Sequence, residues 1–504
     1  MELDVTRSTA ICCGTPNEKK AVLPVECSLI LPDYYPDVMK ILRYTAKAVT
    51  SPVFSDGTGE TVSGNVSIEV NYVSEEGEFC FCGQVQPFSH NFVREGNISA
   101  AEAEAVADEF SCRAVNKRRI DLHGSLNLTL RTVGTEEREF VKAAEGAGAV
   151  CKTDSTDMVT IAGEYFKSFT VEEKGELGYG KPPFGRAVRT AVSAAVNECH
   201  VIQDKIVTKG EVRVKVFWSP EEADGEAEKE YFTSSFSFPV SRMIDAPGVL
   251  MTDTCDASYR ADFPELTPSE DGASLLVKVK VGAFARVYRT DSTEFLTDMF
   301  STEFENSVEN GKLTVIDRVF PVELTEEVSE KMELPTSVEK IIDLWTEVQS
   351  QPRPDSEGKI LYSLRLCMFA RDSEDSVAYY EKTVERELSS PAAGRKTAFY
   401  NLSAIVANED YTLTRGGSVE ISASVVIDGT VYTSVTKNAL TACTVDENKK
   451  IDRGDAAVVL YYAEPGEEIW NIAKSHRTPL DGIVSENGLS EEVLSARKML
   501  VIPK

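Results

Sequence analysis

The chain has 504 residues, more than one hydrophobic core usually organises, so several domains are expected. Its formal charge of −29 is spread along the chain and would repel a phosphate backbone or an anionic bilayer, which argues against nucleic acid as a partner. No run approaches the roughly eighteen consecutive apolar residues of a transmembrane segment, and the start, Met1-Glu2-Leu3-Asp4-Val5-Thr6-Arg7, lacks the basic and apolar regions of a secretion signal, so a cytoplasmic, non-secreted protein is expected.

In chain order, Asp37 to Lys47 is expected to form a short helix, after which Gly64 opens a strand. There Val66, Ile68, Val70 and Tyr72 alternate with Asn65, Ser67, Glu69 and Asn71, a period of two that turns one set to the core of a sheet and the other to water. Cys80-Phe81-Cys82 continues the pattern with both thiols on one face. The Ala-Glu-rich run from Ser99 to Asp108 is expected to be helical, with Ser99 and Glu102 as a capping box, and Leu126, Leu128 and Leu130 form a later strand before Arg131-Thr132.

The same order returns at intervals of roughly 150 residues, the self-similarity of a repeat architecture. Pro183-Phe184-Gly185 leads through Ser193-Ala194-Ala195-Val196 to Gly210 and the strand Val212, Val214, Val216, Trp218. After acidic loops at Glu221 to Glu230 and Ser269 to Gly272, Val277, Val279 and Val281 close the copy before Arg289-Thr290. A third, divergent copy starts at Pro335-Thr336-Ser337-Val338, has Tyr362 where the glycine is expected, and continues through Leu364, Leu366 and Met368 to Val419, Ile421 and Val425. The reading is mainly β: three tandem β-rich, sandwich-like repeats over 1–150, 151–310 and 311–451.

Chemistry-bearing residues are sparse. The eleven cysteines form no zinc framework and suit small buried hydrophobes in a reducing compartment. Four histidines, His90, His123, His200 and His476, leave little for general base work, and neighbouring Cys199 and His200 point in different directions on any regular backbone. No nucleophile elbow, phosphate-binding loop or zinc-protease helix is present, so no catalytic residue, metal or cofactor is assigned and a non-enzymatic protein is expected.

The texture changes at Asp452-Arg453-Gly454-Asp455, a linker. Ala457 to Tyr462 is expected to be a strand and Pro465-Gly466 a turn. Glu467 and Glu468 then precede a helix with Ile469, Ile472 and Ala473 on its buried stripe. A second helix over Leu480 to Asn487 ends at Gly488, and Met499 to Ile502 returns as a strand, a βααβ unit over 455–504. Trp470 lies beside the stripe and is expected half exposed, while Lys474, Arg477, Arg497 and Lys498 read as a solvated basic face.

Tyr462-x-x-Pro465-Gly466-Glu467-Glu468-Ile469-Trp470-x-Ile472-Ala473, Asn487-Gly488-Leu489 and Leu500-Val501-Ile502-Pro503 make this segment resemble a LysM domain. The resemblance implies a groove that binds N-acetylglucosamine polymers, lined by Gly466, Glu467, Glu468 and Ile469, with Trp470 beside it, and by Val493, Leu494, Ser495 and Ala496. Glu467-Glu468 stands where Asp-Thr is usual, and Ser495-Ala496-Arg497 where Pro-Gly-Gln is usual.

Leu31-Pro32-Asp33-Tyr34-Tyr35-Pro36-Asp37-Val38-x-x-Ile41-Leu42 and Val115-Asn116-Lys117-Arg118-Arg119-Ile120 make the repeats resemble the SPOCS domain, a domain of unknown function from sporulation proteins of endospore-forming bacteria. SPOCS repeats followed by a LysM domain are similar in arrangement to the SipL-like group of spore-coat morphogenetic proteins. That resemblance implies a mother-cell protein at the forespore outer surface whose LysM domain contacts the ATPase of the spore-coat basement layer. The other reading is binding of peptidoglycan, or of chitooligosaccharide in vitro. Peptidoglycan lies outside the cytoplasmic membrane, so a chain without an export signal is expected to bind protein.

Overall fold

The computed structural model describes residues 2–503 apart from 15, 34, 221–229, 335–337, 375, 415–417 and 453–455, and for residue 99 the backbone alone. The start of the third copy at Pro335-Thr336-Ser337, most of the acidic loop from Glu221, and most of the linker at Asp452 thus lie outside the described residues.

The described chain is mainly β, with three successive strand sets before a short mixed unit. The first holds β1 (Asp4–Cys13), β2 (Asn17–Ile30), β3 (Val38–Thr50), β4 (Phe54–Ser55), β5 (Gly59–Ser74), β6 (Phe79–Val93), β7 (Ile98–Asn116) and β8 (Arg119–Glu145). The second holds β9 (Ala149–Glu176), β10 (Phe184–Ile202), β11 (Lys205–Pro220), β12 (Phe232–Asp245), β13 (Thr254–Ala261), β14 (Glu265–Pro268) and β15 (Ser274–Ser301). The third holds β16 (Phe304–Glu333), β17 (Val338–Pro354), β18 (Ile360–Asp372), β19 (Val377–Leu388), β20 (Lys396–Thr414) and β21 (Ser418–Lys450). After these come β22 (Val458–Ala463), α1 (Ile469–His476), α2 (Leu480–Asn487) and β23 (Lys498–Pro503).

Each set pairs into two antiparallel sheets, with β4 added to the first set's β5 sheet alone. One antiparallel sheet is centred on β5, β11 or β18, flanked by β3 and β6, β10 and β12, or β17 and β19. The other is centred on the long β8, β15 or β21, flanked by β1, β2 and β7, by β9, β13 and β14, or by β16 and β20. The two sheets face each other over the expected apolar alternation: Val66, Ile68, Val70 and Tyr72 meet Leu126, Leu128 and Leu130 in one core, and Val212 to Trp218 meet Val277 to Val281 in the next. Cys80 and Cys82 are buried in the first of these. The strand set changes between Ser301 and Phe304, so the expected boundary at 310/311 falls inside β16.

Two expected helices are strands. Over 37–47, apolar residues at Val38, Ile41 and Leu42 mimic helical spacing because β3 carries register shifts at Val38/Lys40 and Ile41/Arg43, each adding a residue to the period of two. Over 99–108, Ala and Glu favour helix locally, yet Ala101 to Asp108 pair residue by residue with Thr132 to Ser125 on β8. Their small side chains let β3 lie across β7, and sheet packing overrides propensity.

The polar half of the alternation is also not where it was expected. Ser67, Glu69 and Asn71 are buried rather than turned to water, because the outer face of β5 meets the neighbouring sets. Asn71 Nδ2 donates to the Val188 carbonyl at 3.0 Å, across to β10. The sets close in a ring: β8 lies against β20, β9 against β7, and β21 against β13. Shared cores run along the ring's axis. Phe79, Val188, Phe217, Trp345 and Phe369 gather at one end, and Ala10, Phe140, Phe295, Val315 and Ala439 further along. Beyond these the ends of β8, β15 and β21 pair with β1, β9 and β16 as three ribbons that enclose Val141, Leu296, Met299 and Leu440. Between the end clusters lies a cavity of about 1210 Å³ walled by β3, β7, β10, β13, β17 and β20.

Charges on this axis break the threefold equivalence. Arg43, Arg189 and Asp343 each follow the second register shift of β3, β10 and β17. Buried Arg189 grips Asp343 at 2.8 and 3.2 Å, while Arg43 and Lys47 reach Glu347 at 2.9 and 3.0 Å. Burial alone would push the Glu347 carboxyl up, but Lys47 and Arg43 hold it well below the usual carboxylate range. Three like charges could not pack together here without counter-ions, and Asp343 and Glu347 supply them. Arg286, fully buried, joins all three sets at a second node. Its Nε donates to Glu164 at 2.8 Å, Glu102 and Asp256 lie within 3.9 Å, and its guanidinium stacks over Phe399 at 4.5 Å.

Candidate partner-binding unit

The C-terminal unit runs β22, α1, α2, β23. β22 pairs antiparallel with β23, and α1 and α2 cover one face of that two-stranded sheet around Ile469, Ile472, Ile483, Leu494, Leu500 and Ile502. Pro465-Gly466 makes the turn, with Gly466 at φ 90° where only glycine is relaxed. Gly488 caps α2 in the left-handed conformation. The Asn487 side chain fastens α2 to β23, accepting from the Val501 amide at 2.7 Å and donating to its carbonyl at 2.6 Å.

The two loops expected to line a groove do come together, but they bond to each other. The Gly466 amide donates to the Leu494 carbonyl at 2.8 Å, the Leu494 amide to the Glu467 carbonyl at 3.0 Å, and the Ile469 amide to the Glu492 carbonyl at 2.9 Å, while Glu468 bridges Val493. Glu467 is occupied within its own turn, accepting from Tyr461 Oη at 2.9 Å and from the Glu464 amide at 2.8 Å. Ile469 and Leu494 are buried. Gly466, Val493, Ser495 and Ala496 are the exposed members of the expected set, and Ser495 Oγ donates to Glu491 at 3.2 Å.

Trp470 departs from expectation. It is buried rather than half exposed, because α1 lies against the tip of the β-ribbons. Its ring meets Phe300 edge-on at 5.3 Å and its Nε1 donates to Asp298 at 2.8 Å. Lys474 and Arg477 are likewise no solvated basic face: Lys474 Nζ reaches both Asp298 oxygens at 2.7 Å, and Arg477 donates to Asn306. Lys152 adds an ion pair to Glu468 at 3.1 Å. Burial alone would raise the Asp298 carboxyl, but the bonds from Lys474 and Trp470 outweigh it and hold it below its usual range. Asp298 and Phe300 carry no local signal that could have flagged them, since their partners lie about 170 residues onward. Arg497 pairs with Glu464 at 2.9 Å.

Cys199 is half buried, its thiol raised first by a hydrogen bond with Cys255 and then by burial, whereas His200 is exposed beside Glu198 at 3.6 Å. All eleven cysteines are free thiols. Among the described residues no group of three or more His, Cys, Asp or Glu is placed to hold a metal ion, and no helix is long and apolar enough to cross a membrane. Comparison with protein-family models, with curated proteins and with solved structures returned no match.

Proposed function

We propose that the chain is a non-enzymatic scaffold of endospore coat and envelope morphogenesis: three SPOCS-like repeats form a rigid body, and a LysM-like C-terminal unit docks on a protein of the coat basement layer. The ATPase implied by the resemblance is that partner, met in the mother-cell cytoplasm at the forespore surface. The observation that carries the reading against glycan binding is the lacing of the two loops. A sugar polymer between them needs free main-chain donors and acceptors, and the amides of Gly466, Glu467, Ile469 and Leu494 and the carbonyls of Glu467 and Leu494 are already paired. The groups that face each other across the two loops are thus taken inside the unit, which favours a protein ligand.

The test is retention of the coat ATPase from a mid-sporulation lysate on the immobilised full chain and on a chain lacking 456–504, beside a calorimetric titration of the full chain with chitooligosaccharide. Retention lost with the unit, and no sugar binding tighter than about 1 mM, is the expected result. Micromolar sugar binding without ATPase retention would replace this reading with the peptidoglycan one.

A further inference from the structure

We infer that Cys199 and Cys255 form a redox clip: a dithiol that a small-molecule disulfide converts into a covalent tie between the two sheets of the second strand set. The inference is independent of the docking role proposed for the C-terminal unit.

Register aims both thiols at one place. β10 pairs only with β11 and β13 only with β15, so each is the edge strand of its sheet, and the two edges lie along each other. Cys199 stands opposite Thr208 and Cys255 opposite Val287, both fully buried. Directly opposed residues share a face, so the two cysteines turn into the core between the sheets, where both pack. Tyr259, four residues beyond Cys255 and on the same face of β13, donates to the Thr208 hydroxyl at 2.8 Å and so holds β13 beside the strand position of Cys199. The two thiols are hydrogen-bonded to each other. Both are half buried, within reach of a small reagent at the rim of the set.

The other sets show what this place does. In the first, Thr50 Oγ1 of β3 donates to the Ala103 carbonyl of β7 at 3.1 Å. In the third, the Ala404 amide of β20 donates to Gln351 Oε1 of β17 at 3.0 Å. Each set thus ties its two edges with a polar contact. β3, β17 and β20 carry no cysteine, so of these ties only the second can become a disulfide. Sharing a core is not enough for other thiols. Cys27 and Cys112 both stand opposite Leu122, one on each side of β8. Two strand spacings, about 9–10 Å, separate their backbones, beyond the roughly 7 Å that a disulfide spans.

In the exchange one thiolate attacks the reagent and expels one thiol, leaving a mixed disulfide, and the second attacks the protein sulfur of that bond and expels the other. The protein loses two hydrogens and two electrons, the Cys199–Cys255 bond forms, and the reagent's sulfur–sulfur bond is reduced to two thiols. The hydrogen bond with Cys255, then burial, raises the Cys199 thiol, so exchange is slow at neutral pH and quickens as pH rises.

The experiment incubates the full chain with oxidised glutathione at about pH 8, alkylates the remaining thiols in denaturant and digests with trypsin. The expected product joins peptide 190–205 to peptide 243–260, while Cys27 and Cys112 are recovered alkylated. Amide exchange across β10 and β13 should slow roughly tenfold or more in the oxidised chain, and dithiothreitol should reverse the change. In C255A both the link and the slowing should be absent, and the peptide map of the unaltered chain decides the pairing even if that variant does not fold. Glutathione retained on either cysteine, a bond from either to a third, or recovery of both as alkylated thiols overturns the pair. A link that leaves exchange unchanged overturns the tie between the sheets.

Discussion

Replacing Asp298 by Ala should release the C-terminal unit from the ribbon tip. The side chain accepts the indole hydrogen bond of Trp470 at 2.8 Å and both bonds from Lys474 at 2.7 Å. A hydrogen bond to a carboxylate in such a half-buried place contributes about 1.5–3 kcal/mol. Lys474 is 38% exposed, so solvent screening limits its share to at most about 1 kcal/mol. The loss of about 2–3 kcal/mol changes the docked-to-free ratio by roughly 30- to 150-fold. Phe300, the Lys152–Glu468 pair and Arg477 remain, so the free state becomes populated and the unit itself stays folded. Hydrogen exchange across α1 and the red shift of Trp470 emission report it, since Trp218 and Trp345 sit deep in other cores and give a constant background. A double-mutant cycle with Trp470→Phe should show a coupling of about 1–2 kcal/mol. Because the Asp298 carboxyl is held below its usual range, its contribution is complete above about pH 5 and fades as pH falls through the depressed value. Unchanged exchange in the alanine variant, or a coupling near zero, would refute the assignment of Asp298 as the clamp.

Arg286→Met leaves Glu102, Glu164 and Asp256 crowded in a buried node without their shared cation, so it should destabilise the whole ring by about 3–5 kcal/mol in denaturant unfolding. That loss should shrink on acidification, because the carboxylates of Glu164 and Asp256 are already raised by burial and become neutral. Asp428→Asn should stabilise the protein at pH 7. Burial, with Glu323 and Asp256 nearby, pushes its carboxyl up to about 6, so the native chain is most favoured below about pH 4 and loses that contribution as pH rises through 6. After allowance for partial solvent screening the gain is about 1–2 kcal/mol at neutral pH and vanishes below pH 4, measurable as a flatter stability profile.

Much of the molecule was legible along the chain because its signals are local. A period of two marks a strand wherever one face is buried, and the runs at Val66, Val212 and Leu364 are the central strands β5, β11 and β18. Turn, cap and stripe are equally local, and so Gly466, Gly488 and the Ile469–Ile472–Ala473 stripe lie in the roles that spacing assigned them. Two features misled a local reading: register shifts in β3, which imitate helical spacing, and the helix-forming composition of β7, which is overruled by its partner β8.

What the tertiary structure alone decided is which surfaces remain free. Polar Ser67, Glu69 and Asn71 are buried because the outer face of β5 meets the neighbouring strand sets, and Trp470 is buried because α1 meets Asp298 and Phe300, distant in sequence. The loops around Gly466 and Leu494 bond to each other through their main chains, while Val458, Leu460, Tyr462 and Met499 on β22 and β23 stay exposed. Periodicity tells a residue which side of its own strand or helix it occupies. Whether that side meets water depends on contacts between elements hundreds of residues apart, and on the burial and charge pairing that make one such arrangement stable.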